Sequence, residues 1–442
     1  MNTSTTHITP PLSADRTREL AQSLDLRALP RDFLDNPYPV YAALREAEPF
    51  KRMPDGSYFL TRHSDLVAVY RDAKVFSSDK QVEFGPKYNH APFNQPPYAT
   101  ASGVSPLFEH HTSSLVFNDP PLHTRVRRLI MGALNRRAIE AMEPGLVLLV
   151  DSLLDKIEAQ GGGDLIEDFA SAIPVEIIGN LLGVPHAERE PLRGWSLAIL
   201  GALEPALSPE QESLGNRSVS EFLTYLRKLV ADRRLHPGDP EHDVLTRLIQ
   251  GEENGDALSE VELLQNCVFL LNAGHETTTN LIGNALISLQ EWPEQREQLK
   301  ADLKQAASDE EREQIMGLAV DEFLRFESSN QLSNRRAVQA TQVNGMDLPA
   351  GALVTLCIGA ANRDPAVYEN PEQLDLRRTG NKHLAFGFGV HQCAGLSLAR
   401  LEGRVAIGRF LQRFPDVQLT QAPQRGGRAR FRGFLHAPFS IR

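Results

Sequence analysis

Cys393 stands in the stretch Phe386-Gly387-Phe388-Gly389-Val390-His391-Gln392-Cys393-Ala394-Gly395, behind a glycine-rich turn that opens on an aromatic residue. A buried thiol has little chemical use, because apolar surroundings raise its pKa. A thiolate bound to a metal is different, because the cation supplies the compensating charge. Gly389 and Gly395 let backbone pass close to a flat ligand and take up positive φ. Phe386 offers a face beside the sulfur, and N–H groups of the turn can point at the thiolate and tune it. A second constellation, Ala273-Gly274-His275-Glu276-Thr277-Thr278, places a glycine, a carboxylate and hydroxyls between the apolar runs Phe269-Leu270-Leu271 and Leu281-Ile282. Threonine inside a helix bonds back to the carbonyl four residues earlier and bends it, and a neighbouring carboxylate can act as a general acid.

These groups need elements to hold them. Ser259 and Glu262 form a capping box and Pro293 marks a stop, which predicts one helix from Ser259 to Trp292, roughly 50 Å long at about 1.5 Å per residue. A helix follows Cys393 at once, from Leu396. Arg52–Thr61 reads as a hairpin around Asp55-Gly56, Ser64 as the cap of a helix through Tyr70, and Asn344-Gly345 as a second hairpin turn before a strand over Leu353–Ile358. Elsewhere helical periodicity dominates, so the fold class is mainly α with small sheets. Between Lys80 and Pro121 the pattern gives way to prolines, small polar residues and aromatics (Phe84, Tyr88, Phe93, Tyr98, Phe108), a long loop of the kind that is functional or disordered. Residues 1–20 are expected to be disordered and residues 21–442 to form a single domain.

The 442 residues are 41% hydrophobic and carry a net charge of −11, which speaks against nucleic-acid binding, since that needs a basic footprint. Three cysteines are too few and too scattered for a disulfide framework or zinc cluster, and a reducing cytoplasm fits best. The polar N-terminus lacks the apolar core of a signal peptide, and no stretch reaches the roughly 18 apolar residues of a membrane span.

The loop around Cys393 resembles the haem-ligating loop of the cytochrome P-450 family, Phe-x-x-Gly-x-x-x-Cys-x-Gly, with Phe386, Gly389, Cys393 and Gly395 at its fixed places. The resemblance implies a triangular helical domain with small peripheral sheets and haem b (iron protoporphyrin IX) buried between two long helices. It makes Cys393 the axial ligand of the iron, whose thiolate donates electron density that favours O–O cleavage. The segment from Ala273 resembles the family's oxygen-binding motif. That match puts Ala273 and Gly274 against the haem, makes Thr277 the hydroxyl that bonds the oxygen and makes Glu276 the carboxylate that relays protons. His123 and Arg127, four residues apart behind Pro120 and Pro121, match the positions of the family's C helix that bind a haem propionate. Arg335 and His391 match the other usual partners, with Arg336 left open as a neighbour of Arg335. Glu322-Phe-Leu-Arg325 resembles the family's Glu-x-x-Arg, and Arg378 of Asp375-Leu-Arg-Arg378 completes a buried charge network that fixes the chain before the cysteine. Ser329 stands where the family often has proline.

By this resemblance the chain is a haem-dependent monooxygenase that inserts one atom of dioxygen into a small organic substrate, by hydroxylation or oxidative dealkylation. Electrons would come from NAD(P)H through a ferredoxin reductase and a ferredoxin. Two alternatives are a peroxide-using or nitric-oxide-reducing haem-thiolate enzyme and a non-catalytic haem protein that binds small ligands. Glu276 and Thr277 favour dioxygen. Arg125, Arg127, Arg128, Arg136 and Arg137 form a basic segment in an acidic protein. It reads either as a ferredoxin docking site centred on Arg128 and Arg136 or as a solvated helix face. The hydrogen-bonding groups of Ser328-Ser329-Asn330-Gln331-Leu332-Ser333-Asn334 point to a substrate with a polar or aromatic-oxygen handle.

Overall fold

The capping box forms. Ser259 N–H donates to Glu262 Oε2 at 2.8 Å, Glu262 N–H donates to Ser259 Oγ at 3.3 Å, and the helix they start runs from Glu260 to Glu291. The computed structural model describes residues 13–88, 104–239, 243–253 and 256–441. Helices Ala172–Leu181, Glu190–Gly201, Pro209–Leu235, Asp309–Phe326 and Leu396–Arg413 pack against this central helix. Their apolar faces merge with it into one large core. Between Leu263 and Leu289 the central helix is buried all round except at Phe269, Leu270, Ala273, Gly274 and Thr277. Those five share one face at helical spacing, so the helix is sealed into protein apart from one stripe at its midpoint.

The β structure is small. One sheet orders its strands as Phe50–Arg52, Tyr58–Leu60, Leu353–Cys357, Leu332–Ala337 and Phe76–Ser77. Both expected hairpins are present. Gly56 turns the first at φ 84°, and Asn344 and Gly345 turn the second at 47° and 85°, the two positive values that a tight hairpin of this kind requires. Ser64 does not cap its helix: the N-cap is Arg62, two residues earlier, and the helix runs from His63 to Arg71. Among the described residues no helix is long and apolar enough to cross a membrane.

Two expectations change. Of the N-terminal stretch read as disordered, residues 1–12 lie outside the described residues, while Ala14–Gln22 is a helix. The Ser13 hydroxyl caps it by accepting from Arg16 N–H, and Thr17 and Ala21, four residues apart, bury against the helix Tyr38–Ala47. Its many charges hid this narrow face. In the loop expected from Lys80 to Pro121, Phe93 and Tyr98 lie outside the described residues. On either side of them Gln81–Lys87 and Pro106–Ser113 are helices. Ser105 caps the second, with proline at its first position. Phe84 and Tyr88 bury beside His111, with ring centroids 5.6 Å from it in each case.

Ahead of the cysteine loop the chain has little regular structure, and one ion pair holds it. Glu322 and Arg325 side chains are fully buried, joined by two 2.7 Å hydrogen bonds. The remaining Arg325 donors reach the carbonyls of Asn362 (3.0 Å), Pro371 (2.8 Å) and Gln373 (2.9 Å). Glu322 also accepts from Asp375 N–H at 2.9 Å and Arg378 Nε at 3.1 Å. Desolvating two charges is costly, but here each is compensated and hydrogen-bonded. Ser329, in place of the family's proline, is fixed differently: its carbonyl accepts from Arg432 N–H at 2.8 Å, and Gln331 N–H donates to the Arg430 carbonyl at 2.8 Å. Replacing Arg325 with Met removes the bidentate partner of the buried Glu322 charge, leaving it Arg378 alone as a cation, and is expected to cost about 3–5 kcal/mol. Urea unfolding would measure this, and a loss below about 1 kcal/mol would contradict the assigned role.

Candidate active site

The cysteine loop is built on Asn362, whose Oδ1 accepts from Leu384 N–H at 2.7 Å. The chain then turns through Gly387 (φ 65°) and Gly389 (φ 73°). A Cβ on Gly389 would lie 2.6 Å from the Tyr70 carbonyl oxygen, so only glycine fits. Cys393 N–H closes the loop on the Phe386 carbonyl at 2.8 Å. Gly395 does not need positive φ. It sits at φ −93° as the cap of the helix Leu396–Arg413, and its N–H bonds the Cys393 sulfur. A Cβ there would meet nothing within 4 Å. Burial raises the Cys393 pKa, while the Gly395 N–H and the Arg127 and Arg400 guanidinium groups pull it down less strongly.

His123, Arg127, Arg335 and His391 come together from a helix, a strand and the loop. The His123 and His391 rings lie 4.0 Å apart, centroid to centroid, and none of their four nitrogens has a hydrogen-bond partner. Burial, then the charges of Arg335, His123 and Arg127, pushes His391 down to about 2. Burial, then Arg127, pushes His123 down to about 4. Arg335 is buried over the Tyr70 ring, 5.2 Å from its centroid, and its guanidinium donates to the Asn334 carbonyl at 2.8 Å. Arg335 pairs with Val354 and Arg336 with Leu353, so their side chains point to opposite faces of the sheet. Arg335 is the one that acts on His391. The nearby carboxylate, Asp119, is engaged by Ser77 Oγ at 2.5 Å and Ser78 N–H at 2.7 Å. A buried set of cationic and donor groups with little negative charge among them fits the two propionates of haem, and the sulfur beside it fits the iron.

On the open stripe of the central helix the Thr277 hydroxyl donates to the Ala273 carbonyl at 2.6 Å, the back-bond expected from the sequence. A Cβ on Gly274 would come 2.5 Å from Ile178 Cδ1, so this glycine admits the helix Ala172–Leu181. Glu276 lies about 100° further round the axis and does not touch Thr277. It is buried, with Oε1 2.6 Å from Arg428 Nη1 and Oε2 unpartnered. Arg428 also donates to the Leu197 carbonyl at 3.0 Å. Burial outweighs Arg428 and raises the Glu276 pKa to about 7. Beside it is a cavity of about 20 Å³ lined by Arg193, His275, Glu276, Thr279, Asn280 and Arg428, enough for one water. No pattern in the sequence pointed to Arg428, which is 152 residues from its partner.

Two further expectations meet the structure. Part of the polar stretch from Ser328 to Asn334 serves the protein itself, while Ser329 Oγ, Asn330 Oδ1 and Gln331 Oε1 are buried without a partner. Ser328 Oγ accepts from Asn362 at 2.7 Å, Gln331 Nε2 donates to the Ser328 carbonyl at 2.7 Å, and Asn334 Nδ2 donates to Thr355 at 3.2 Å. In the basic segment, Arg125 pairs with Asp256 and Glu262, Arg128 with Asp256 at 3.5 Å, and the well-exposed Arg136 with Glu140 at 2.6 Å. Arg127 instead acts on Cys393.

A family model described as cytochrome P-450 matches residues 202–426. The chain is 34% identical over 394 residues to the polyketide biosynthesis cytochrome P-450 PksS of Bacillus subtilis, covering 89% of this chain and 92% of the relative. It is 35% identical over 392 residues to a vitamin D(3) 25-hydroxylase of Pseudonocardia autotrophica, covering 88% of each. Its fold matches the crystal structure of the BioI cytochrome P-450 in complex with an acyl carrier protein ligated to hexadec-9Z-enoic acid, at TM-score 0.82 and 31% identity, over 93% of this chain and 100% of that one. A sulfur beside a haem-shaped set of cations, on this fold and with these relatives, means that the chain belongs to the cytochrome P-450 family, oxidoreductases of the monooxygenase type that use haem b.

Proposed function

We propose that this protein inserts one atom of dioxygen into a small organic substrate, by hydroxylation or oxidative dealkylation, with electrons passed from NAD(P)H through a ferredoxin reductase to a ferredoxin. The observation that carries this reading is the convergence of Cys393 with four buried or half-buried basic side chains. Cys393 would hold the iron, and His123, Arg127, Arg335 and His391 the propionates. Haem, when bound, supplies the iron at which dioxygen is reduced and cleaved. Overall, substrate, dioxygen, two electrons and two protons give oxygenated product and water.

The chain's own residues handle the protons. A carboxyl with a pKa near 7 is about equally ready to give and to take a proton at neutral pH. Glu276 Oε1 is anchored by Arg428, which leaves Oε2 to exchange protons with a water in the neighbouring cavity. Rotation of the side chain then brings that proton toward Thr277, whose hydroxyl stands on the open stripe. Phe269, Leu270 and Ala273 make the rest of that stripe apolar, which supports a substrate with an apolar body. Support for a polar handle is reduced, because Ser328, Gln331 Nε2 and Asn334 bond internally, and rests on the unpartnered Ser329 Oγ, Asn330 Oδ1 and Gln331 Oε1. Electron delivery is assigned to the face bearing Arg128 and Arg136, where acidic neighbours already offset much of the charge.

Three measurements test this. With ferredoxin, its reductase, NADPH and ¹⁸O₂, substrate should raise NADPH consumption and yield product carrying one ¹⁸O. Neutralising Arg128 and Arg136 together should flatten the dependence of the electron-transfer rate on ionic strength. Product formed only with peroxide, or none at all, would favour the alternatives. The third concerns Glu276. With its pKa raised from 4.5 to about 7, the folded chain keeps a proton that the unfolded chain has released between those values. Its contribution to stability therefore falls as pH rises through that window and levels off above it. Glu276→Gln should remove this slope, so that thermal unfolding of the variant gains on the native chain from pH 5 to 7. Parallel curves would contradict the raised pKa.

A further inference from the structure

Beside the cysteine loop lies a cluster that none of the preceding roles uses. Asp321 sits next to Glu322 on the helix Asp309–Phe326, and its Oδ1 accepts from Arg400 Nε at 2.8 Å. The same oxygen lies 3.4 Å from His383 Nε2. Both partners meet the Phe386 ring: the Arg400 guanidinium carbon lies 5.0 Å from its centroid and the His383 ring 5.5 Å. Phe386 is tied to the cysteine by its carbonyl, which accepts from Cys393 N–H. His383 is nearly buried, and its Nδ1 has no partner. One carboxylate oxygen thus gathers two side chains around the ring of the residue whose carbonyl holds the cysteine N–H.

Arg400 differs from the other cation acting on the sulfur. Arg127 stands among the groups that fit the propionates, where bound carboxylates would neutralise it. Among the described residues Arg400 has Asp321 as its ion-pair partner and lies over the ring of Phe386, whose carbonyl holds the cysteine N–H, so its charge stands close enough to favour the thiolate. A positive charge near a ligating thiolate withdraws electron density from the metal, and charge and hydrogen bonds around such a sulfur set the reduction potential. We propose that Asp321 is a positioning residue for the thiolate: it holds Arg400 and His383 against Phe386 and, by partly offsetting the Arg400 charge, sets how strongly Cys393 donates to the haem iron. This rests on Cys393 being the iron's ligand.

The test is the midpoint potential of the substrate-free holoenzyme, with the carbon-monoxide band of the reduced protein recorded alongside. Asp321→Asn keeps the side-chain shape and its hydrogen-bond oxygen but removes the offsetting charge, so the potential should rise. Arg400→Gln removes the positive charge and leaves Asp321, so the potential should fall. Arg400→Lys keeps the charge and should stay close to the native value. A merely structural cluster would move Asp321→Asn and Arg400→Gln the same way, or neither, and either result overturns the proposal. Arg400 is partly exposed, so its substitutions should leave folding intact; urea unfolding of each variant checks this. A native protein with no thiolate-type band would instead refute the ligand assignment itself, which separates the two failures.

Discussion

A sulfur placed where water is scarce carries negative charge only if positive charge is brought to it. In this chain burial outweighs the help that Cys393 receives from the Gly395 N–H, Arg127 and Arg400. The protein alone therefore leaves the site short of positive charge, and a metal cation is the natural remedy. The same imbalance, with opposite sign, appears a few residues away, where His123, Arg335 and His391 are buried with little carboxylate among them. A site short of a cation on one side and of anions on the other is complementary to an iron porphyrin with two propionates.

Everything upstream of the loop keeps that imbalance in place. The Glu322–Arg325 pair pins the irregular chain from Asn362 to Arg378, and Asn362 in turn fixes Leu384, the entry to the loop. Gly389 lets the loop pass under the Tyr70 carbonyl. Across the site, between Leu263 and Leu289, the central helix is packed on every side but one, and the open stripe that includes Ala273 and Thr277 is where it departs from core packing. The threonine's back-bond satisfies its hydroxyl within the helix and leaves it near the open space, where a ligand can compete for it.

Local signals were readable in the sequence. The capping box of the central helix, both hairpin turns and the back-bonding of Thr277 follow from residue types at short spacing, whereas the Glu322–Arg325–Arg378 network, whose ends lie 56 residues apart, was implied by the family resemblance. The N-terminal helix at Ala14 escaped because its apolar face is narrow among many charges, and the helices Gln81–Lys87 and Pro106–Ser113 because they are short and stand next to prolines and small polar residues. Long-range partners were out of reach. Arg428 meets Glu276, Asp321 meets Arg400, and the Asn334 amide meets Thr355 only once their strands pair. Two glycines also do work that the motif did not reveal: Gly274 admits Ile178, and Gly395 lends its N–H to the sulfur rather than a positive φ.

Ligation of the iron by Cys393 is tested most directly by replacing it with alanine and recording the carbon-monoxide difference spectrum of the purified, reduced protein. The native chain should show the band typical of thiolate-ligated haem, and the variant should lack it, whether or not haem is retained. A variant that keeps that band would show that the sulfur of Cys393 does not hold the iron.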